Sequence, residues 1–564
     1  MAALGAIDVG NFYFMRRDLQ RTADLAAAAG AQTIDSTGST TGDCSAATAS
    51  AQQNAQTGNG LSTAASVSVV CGRWDPSVNA GQSYFSTTGS PMNAVQVTVQ
   101  QTVPYFFVGP ARVIQATATA QATNIRSFSI TTAVASLSGG LLNGLLNGLL
   151  GSNLNLSVAS YQGLASAQIR LGDLATALGV GSMSQLLNTQ VTVAQLASAM
   201  ATAVTQSTTA SATVVSDLGT IAAAIPGGQQ IALGNTSDTN GVLAVALDDP
   251  QAAATATVGV LDTLLVAAEI ANGQSAINLG TALNLGALAS VTAQAKIIEP
   301  PVIAVGEAGQ NADGTWRTSA HSAQVRVYLN VNLANPSVGL TYLGLPDLVS
   351  ISALNLPIYI EAGDGTATLQ STECTTQQAT SQSTIVATTG LAGLCIGGDA
   401  SSNFTNTTTA TSCNLPAQIT QVSGLGYSLI NVSVGTSSPT AGLNLQVQSG
   451  QTSLVFNGVP NSSTAYQSVN TNALGSVTTG VLTQLAAALS NQTPGNQTIH
   501  ATVAGLDVTA LVGPLVSGLA TLLSPILTSL DALLVPLLQL LGVQIGVSTV
   551  HDLGLACGQA QLVY

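Results

Sequence analysis

The chain has 564 residues, 6% charged and 46% hydrophobic, with 24 acidic against 10 basic side chains and a formal net charge of −14. Lys296 is the only lysine and the arginines are scattered after Arg21, so no basic patch that releases counterions from a nucleic-acid backbone can form, and nucleic acid is excluded as a partner. The length allows about two to four domains. A charged fraction far below the usual quarter or so is the surface chemistry of exported envelope proteins rather than of cytosolic enzymes.

Residues 1–32 read as one helix. Leu19, Ala23, Ala26 and Gly30 recur at spacings of four, three and four and line one face, with Arg17, Arg21 and Asp24 on the other. A stripe of Ala and Gly admits another backbone closely, as in a filament, a membrane or a tightly docked domain. Met1 to Ile7 is apolar but short of the roughly 20 residues that cross a bilayer, and reads as the tail of a longer span.

Residues 33–135 form a first β-rich segment. After a polar loop over 35–60, Val67, Val69 and Cys71 alternate with polar residues, as do Val95, Val97 and Val99, and Arg112 to Thr123 continues in Ala-Thr alternation. Arg73-Trp74-Asp75-Pro76 marks a turn, and Tyr105, Phe106 and Phe107, beside Pro104 and Pro110, read as core aromatics.

Residues 136–300 form a mainly helical insertion. The run Gly140 to Gly151 repeats Gly-Leu-Leu-Asn every four residues, and glycine at that density costs a helix about 1 kcal/mol each, so tertiary contacts must hold it. Further helices are expected at Leu171 to Leu178, Met183 to Leu187, Thr192 to Thr205 and Val258 to Ala271, then a strand-like run from Val291 to Val305 broken by Pro300 and Pro301.

Residues 301–564 form a β-rich domain with helices near its end. Ala323 to Asn332 alternates as a half-buried strand, and Val349 to Tyr359 with Thr366 to Leu369 suggests an antiparallel pair about Gly363-Asp364-Gly365. Residues 371–414 read as a disulfide-tied loop with short strands, followed by strands at Tyr427 to Val434 and Leu443 to Phe456. Thr471 to Leu489 and Val508 to Leu541 read as helices. The second is apolar but carries Pro514, Pro525 and Pro536, which favours a kinked series laid on the β domain over a membrane span. The expected fold class is α+β: an N-terminal helix, a β-rich ectodomain with a helical insertion, and apolar helices near the C-terminus.

Six cysteines, with no Cys-x-x-Cys and no neighbouring His, favour disulfides in an oxidising compartment over zinc or thiol chemistry. Cys44 with Cys71 is the local pair. The other four allow three connectivities, of which Cys374 with Cys395 and Cys413 with Cys557 is the expected one.

Catalytic constellations are hard to assemble. Lys296 sits outside any phosphate loop, and there is no Gly-x-Ser-x-Gly elbow. His321, His500 and His551 stand apart. His551 and Asp552 are neighbours on a strand, point to opposite faces, and read as an exposed strand end. Asp248-Asp249-Pro250 reads as a helix start, Glu361 with Asp364 as turn residues, and Asp35 to Ser39 only loosely follows an Asp-x-Ser-x-Ser metal motif. No catalytic, cofactor-binding or metal-binding residue is expected, and no small-molecule substrate.

The N-terminal motif resembles the TadE/TadG-like proteins of tight-adherence (Tad) Flp pilus assembly. The match runs through Asp8, Gly10 and Tyr13, then Leu19 and Gln20, then Ala23, Asp24, Ala26, Ala27, Ala29, Gly30 and Ala31. Cys71 to Asp75, Pro91 to Val97 and Ala556-Cys557-Gly558 are similar to the domain that follows this helix in TadG-like members. The resemblance implies an envelope protein, held at the inner membrane by its N-terminal segment with the body in the periplasm or exported to the surface. It implies pilus-assembly partners and no enzymatic activity. A surface adhesin or minor filament subunit is the alternative, and a secreted carbohydrate-active enzyme a more distant one.

Overall fold

A computed structural model describes residues 2–34, 44–130, 139–278, 289–334, 349–470, 498–507 and 547–563, less short internal stretches. Helix α1, Ala2–Ala31, and helix α2, Ser45–Gln53, cover one face of an antiparallel sheet. Its strands are β1, Ser66–Trp74; β2, Phe85–Ser86; β3, Ala94–Val103; and β4, Arg112–Gln121. They run in the order β2, β1, β3, β4, and Gln561–Val563 closes the far edge against β4.

Period-two alternation explains how α1 fits. Val95, Val97 and Val99 of β3 lie opposite Ala120, Ala118 and Ala116 of β4 in register, and all six are buried. Small side chains on β4 leave room for a helix whose own contact face is Ala23, Ala26 and Ala27, with Leu19 and Ala31 beyond them. Each buried valine contributes roughly 1.5–3 kcal/mol by leaving water.

Strand β5, Ile125–Ile130, carries the chain into a mixed seven-stranded sheet. Its order is Tyr466–Asn470, Val547–Ala556, β5, Ile303–Gly306, Gly241–Ala246, Gln230–Gly234 and Gln190–Thr192. Helices between residues 139 and 272 pack on it around Val260–Asn272, in which Val260 to Glu269 are all buried. The glycine-rich helix Gly139–Leu150 buries Leu142, Leu145, Leu146 and Leu149. Its Asn143 and Asn147 amides hold the backbone of Leu156 and Leu154 by paired bonds of 2.5–2.9 Å. Those tertiary contacts are what the repeat needs to stay helical.

Among the described residues four further antiparallel sheets, of six, four, five and two strands, build the rest of the β body. The α+β class holds, with helix α1 and a β-rich body that also carries helices. The expected helices at 471–489 and 508–541 lie outside the described residues, as do Asp35 to Ser39, Asp248, Asp249 and Asp364. Among the described residues no helix is long and apolar enough to cross a membrane.

Four expectations are corrected. Strand Ala353–Gly363 pairs with Gln324–Ala334 and Leu391–Ile396, whereas Thr366–Glu373 pairs with Ser319–His321 and Gln382–Thr388. The glycine turn is therefore a crossover between sheets and not a hairpin, with the Gly365 N–H donating to the Ser322 hydroxyl at 3.1 Å. Cysteine pairing also differs: Cys44–Cys71 is present, but the others join as Cys374–Cys557 and Cys395–Cys413. The strand Val547–Ala556 brings Cys557 to Cys374, which leaves Cys395 to its neighbour Cys413, 18 residues on. Phe106 and Phe107 are 62% and 56% exposed at the tip between β3 and β4 rather than core, because the hairpin runs past the sheet and meets only the first turns of α1. Finally, His551 is 1% exposed and not at a strand end.

Candidate interaction site at the N-terminal helix

Asp8 is buried although it lies among apolar residues near the start of α1. Its carboxylate accepts the backbone N–H of Phe106 at 2.8 Å and of Phe107 at 3.3 Å, so the β3–β4 tip is tied to the helix by charge-assisted bonds. The Phe12 ring packs on Tyr105 with centroids 4.6 Å apart. Three turns on, the Gln20 amide donates to Asp24 at 2.8 Å and to the Thr117 carbonyl of β4 at 3.2 Å. The buried Thr22 hydroxyl donates to the Asp18 carbonyl at 3.0 Å.

At the far end of α1, Gly30 is the point of closest approach. A Cβ there would meet the Ala47 carbonyl and Val95 Cγ1 at 3.1 Å and Ala51 Cβ at 3.2 Å. The Ser50 hydroxyl donates to the Ala29 carbonyl at 2.9 Å, and Cys44–Cys71 fastens the start of α2 to β1. The motif residues thus divide in three. Leu19, Ala23, Ala27 and Gly30 pack; Asp8, Gln20 and Asp24 hydrogen-bond; Gly10 and Tyr13 face outward, Tyr13 being 70% exposed.

The later segments singled out in the sequence connect this unit to the body. Arg73 of β1 donates to both carboxylate oxygens of Glu307, at 2.8 and 3.0 Å, and to the Pro91 carbonyl at 2.9 Å. Asn93 accepts from the Trp74 N–H at 2.8 Å and donates to the Trp74 carbonyl at 3.1 Å. Gly558 lies so close to Thr123 that a Cβ would overlap its backbone, and its N–H donates to Asn124 at 3.1 Å. Glu307 was not recognisable from the sequence; the one available signal was an arginine inside an alternating strand of a chain poor in bases.

A second polar cluster is buried, with the half-buried Tyr466 at its edge. His551 Nδ1 faces Asp262 at 3.1 Å, the Ser129 hydroxyl donates to the same carboxylate at 3.3 Å, and the Tyr466 ring stacks on the imidazole at 4.0 Å. Burial pushes the Asp262 carboxyl up, but the facing His551 and Ser129 outweigh it and hold the group below its ordinary value. Burial, with Asp262 adding, raises the Tyr466 hydroxyl. Asp552, on the opposite face of the strand, pairs with Arg126. Ser129 bonds the carboxylate and not the imidazole, so the trio lacks the contact between nucleophile and base that acyl transfer needs. It ties strand Val547–Ala556 to helix Val260–Asn272.

The remaining carboxylate candidate, Glu361, is taken up by Arg326 at 3.2 Å, Gln324 at 3.2 Å and the Tyr359 hydroxyl at 3.3 Å. Among the described residues no three His, Cys, Asp or Glu side chains converge as a metal site.

Comparison with known proteins bears on the same region. Residues 1–33 match a family described as Flp pilus-assembly TadE/G-like, residues 28–123 match one described as Tad-like Flp pilus-assembly, and residues 138–269 match a domain of unknown function. No curated protein and no solved structure matches the chain. Over residues 1–123, therefore, α1 and the sheet it lies on are those of the TadE/TadG-like family of Flp pilus assembly.

Proposed function

We propose that the chain is a cell-envelope component of the Flp pilus-assembly machinery that works through protein contacts rather than catalysis. In this reading α1 is the membrane-proximal stalk, the body lies in the periplasm, and the partners are other pilus-assembly proteins. The observation that carries it is the seating of α1. Asp8 and Gln20 bond it to β4 and its hairpin, Gly30 closes it onto α2 and β3, and Arg73 joins that sheet to Glu307 in the body. Load on the stalk passes to the body through hydrogen bonds and close backbone contact. Three disulfides support an oxidising compartment.

In-frame deletion of the gene should abolish Flp pili and surface adherence, with both restored by the intact gene; normal piliation in the deletion strain overturns the reading. Antibodies to the body should label the envelope alone. Labelling along the filaments would make the chain a filament subunit or surface adhesin.

A further inference from the structure

Apart from the half-buried Asn11, the first turns of α1 are apolar on the sides that the hairpin leaves open. Ile7, Val9, Tyr13 and Phe14 are 53%, 53%, 70% and 67% exposed. At 100° per residue they spread over about half the helix circumference, while Asp8, Phe12 and Met15 cluster on the hairpin side. A partner seated in a groove covers one stripe; a helix whose exposed apolar side chains span half its circumference calls for an apolar solvent. Phe106 and Phe107 lie at the same level, held there by Asp8, so the tip adds two exposed rings beside the helix. The one carboxylate of this end is buried against hairpin N–H groups, so it is satisfied by hydrogen bonds and lies away from the exposed apolar surface.

Cations follow directly. Arg16 and Arg17 are exposed within one turn of Phe14, and Arg112, at the base of the hairpin, is exposed too. Along the axis the order is aliphatic, aromatic, then guanidinium. That is the order met on leaving a bilayer from acyl chains through the headgroup boundary to the phosphates.

We propose that the β3–β4 tip is a second membrane contact: Phe106 and Phe107 enter the boundary between acyl chains and headgroups alongside α1, and Arg16, Arg17 and Arg112 meet anionic lipid phosphates. The inference rests on the reading of α1 as membrane-proximal. Two contacts fix the rotation of the ectodomain about the stalk, which a lone helix leaves free.

The test uses the full chain with vesicles of phosphatidylglycerol and phosphatidylethanolamine, and with phosphatidylcholine vesicles as reference. All six native cysteines are paired, so Phe107→Cys offers a single thiol for a polarity-sensitive fluorophore. Its emission should shift to the blue on adding anionic vesicles and be quenched by lipid-borne quenchers, while a label at Asn59→Cys stays in water. Phe106→Ser with Phe107→Ser should weaken partitioning at least about tenfold, and each arginine replaced by Gln should cost about fivefold on anionic vesicles only. Both phenylalanines are exposed, so unchanged circular dichroism and disulfide content will confirm folding. The proposal falls if the chain binds vesicles with residue 107 still in water, if it does not bind, or if the label is buried equally without lipid because two copies associate. Loss of pili on gene deletion together with a water-exposed tip would leave the assembly reading standing and remove this contact alone.

Discussion

Arg73 and Glu307, 234 residues apart in the chain, meet through two parallel N–H···O bonds and are both buried. This planar fork is the polar fastening between the α1 sheet and the rest of the molecule, with Arg317 adding a bond to Glu307 at 3.3 Å.

Lysine cannot reproduce a bidentate fork. Arg73→Lys should therefore destabilise the protein, and Glu307→Gln, which leaves the buried guanidinium with Asp75, 3.7 Å from Nε, as its remaining counter-charge, should cost about 3 kcal/mol. Urea denaturation followed by circular dichroism measures both; a Glu307→Gln protein as stable as the parent would refute the assignment.

Gly30 sets how closely α1 lies on α2 and β3. Gly30→Leu should push them apart at a cost of roughly 1–3 kcal/mol. The readout is local: Arg16, Arg17 and Arg21 should be cut faster by trypsin in the variant, while cleavage at Arg326 in the β body is unchanged.

Two buried carboxyls should give opposite pH slopes. Burial alone raises Glu269 well above its ordinary value, so its contribution to stability is full below the unfolded value of about 4.3 and is lost as pH rises through the folded one. Glu269→Gln should remove that decline and raise Tm at pH 8 with little effect at pH 4. Asp262 is held low, so its contribution is present above the unfolded value of about 3.9 and lost as pH falls through the lower folded one. Asp262→Asn should cost about 3–5 kcal/mol at pH 7 and much less in strong acid. Thermal melts between pH 3 and 8 separate the two.

Cys374–Cys557 closes a span of 183 residues and Cys395–Cys413 one of 18. On chain-entropy grounds, breaking the first by Cys374→Ser with Cys557→Ser should cost roughly 5 kcal/mol, against about 3 for the second. Peptide mapping by mass spectrometry without reduction checks the connectivity itself, and a Cys413–Cys557 peptide would contradict the structure.

What could be read from the sequence was local. The 3.6-residue period showed the contact face of α1 at Leu19, Ala23, Ala26 and Gly30, and alternation showed β3 and β4. What could not be read depended on distant partners. Nothing near His551 in sequence signals Asp262, which lies 289 residues away. Phe106 and Phe107 suggest a core by composition, and only the length of the hairpin relative to the sheet exposes them. The crossover at Gly365 looked like a hairpin because turn chemistry fixes the bend and not which sheet the next strand joins. The Asp8 bond to the hairpin had no local signal beyond a carboxylate in an apolar run.

Strand Gln561–Val563 lies on the outer edge of β4, so the sheet beneath α1 is completed by residues more than 400 positions downstream. During synthesis that margin stays unpaired until the more than 400 residues between the two strands have been made, and an unpaired strand margin invites adventitious pairing. The α1 sheet is thus begun before the body and closed after it, so its last edge depends on the body having been made.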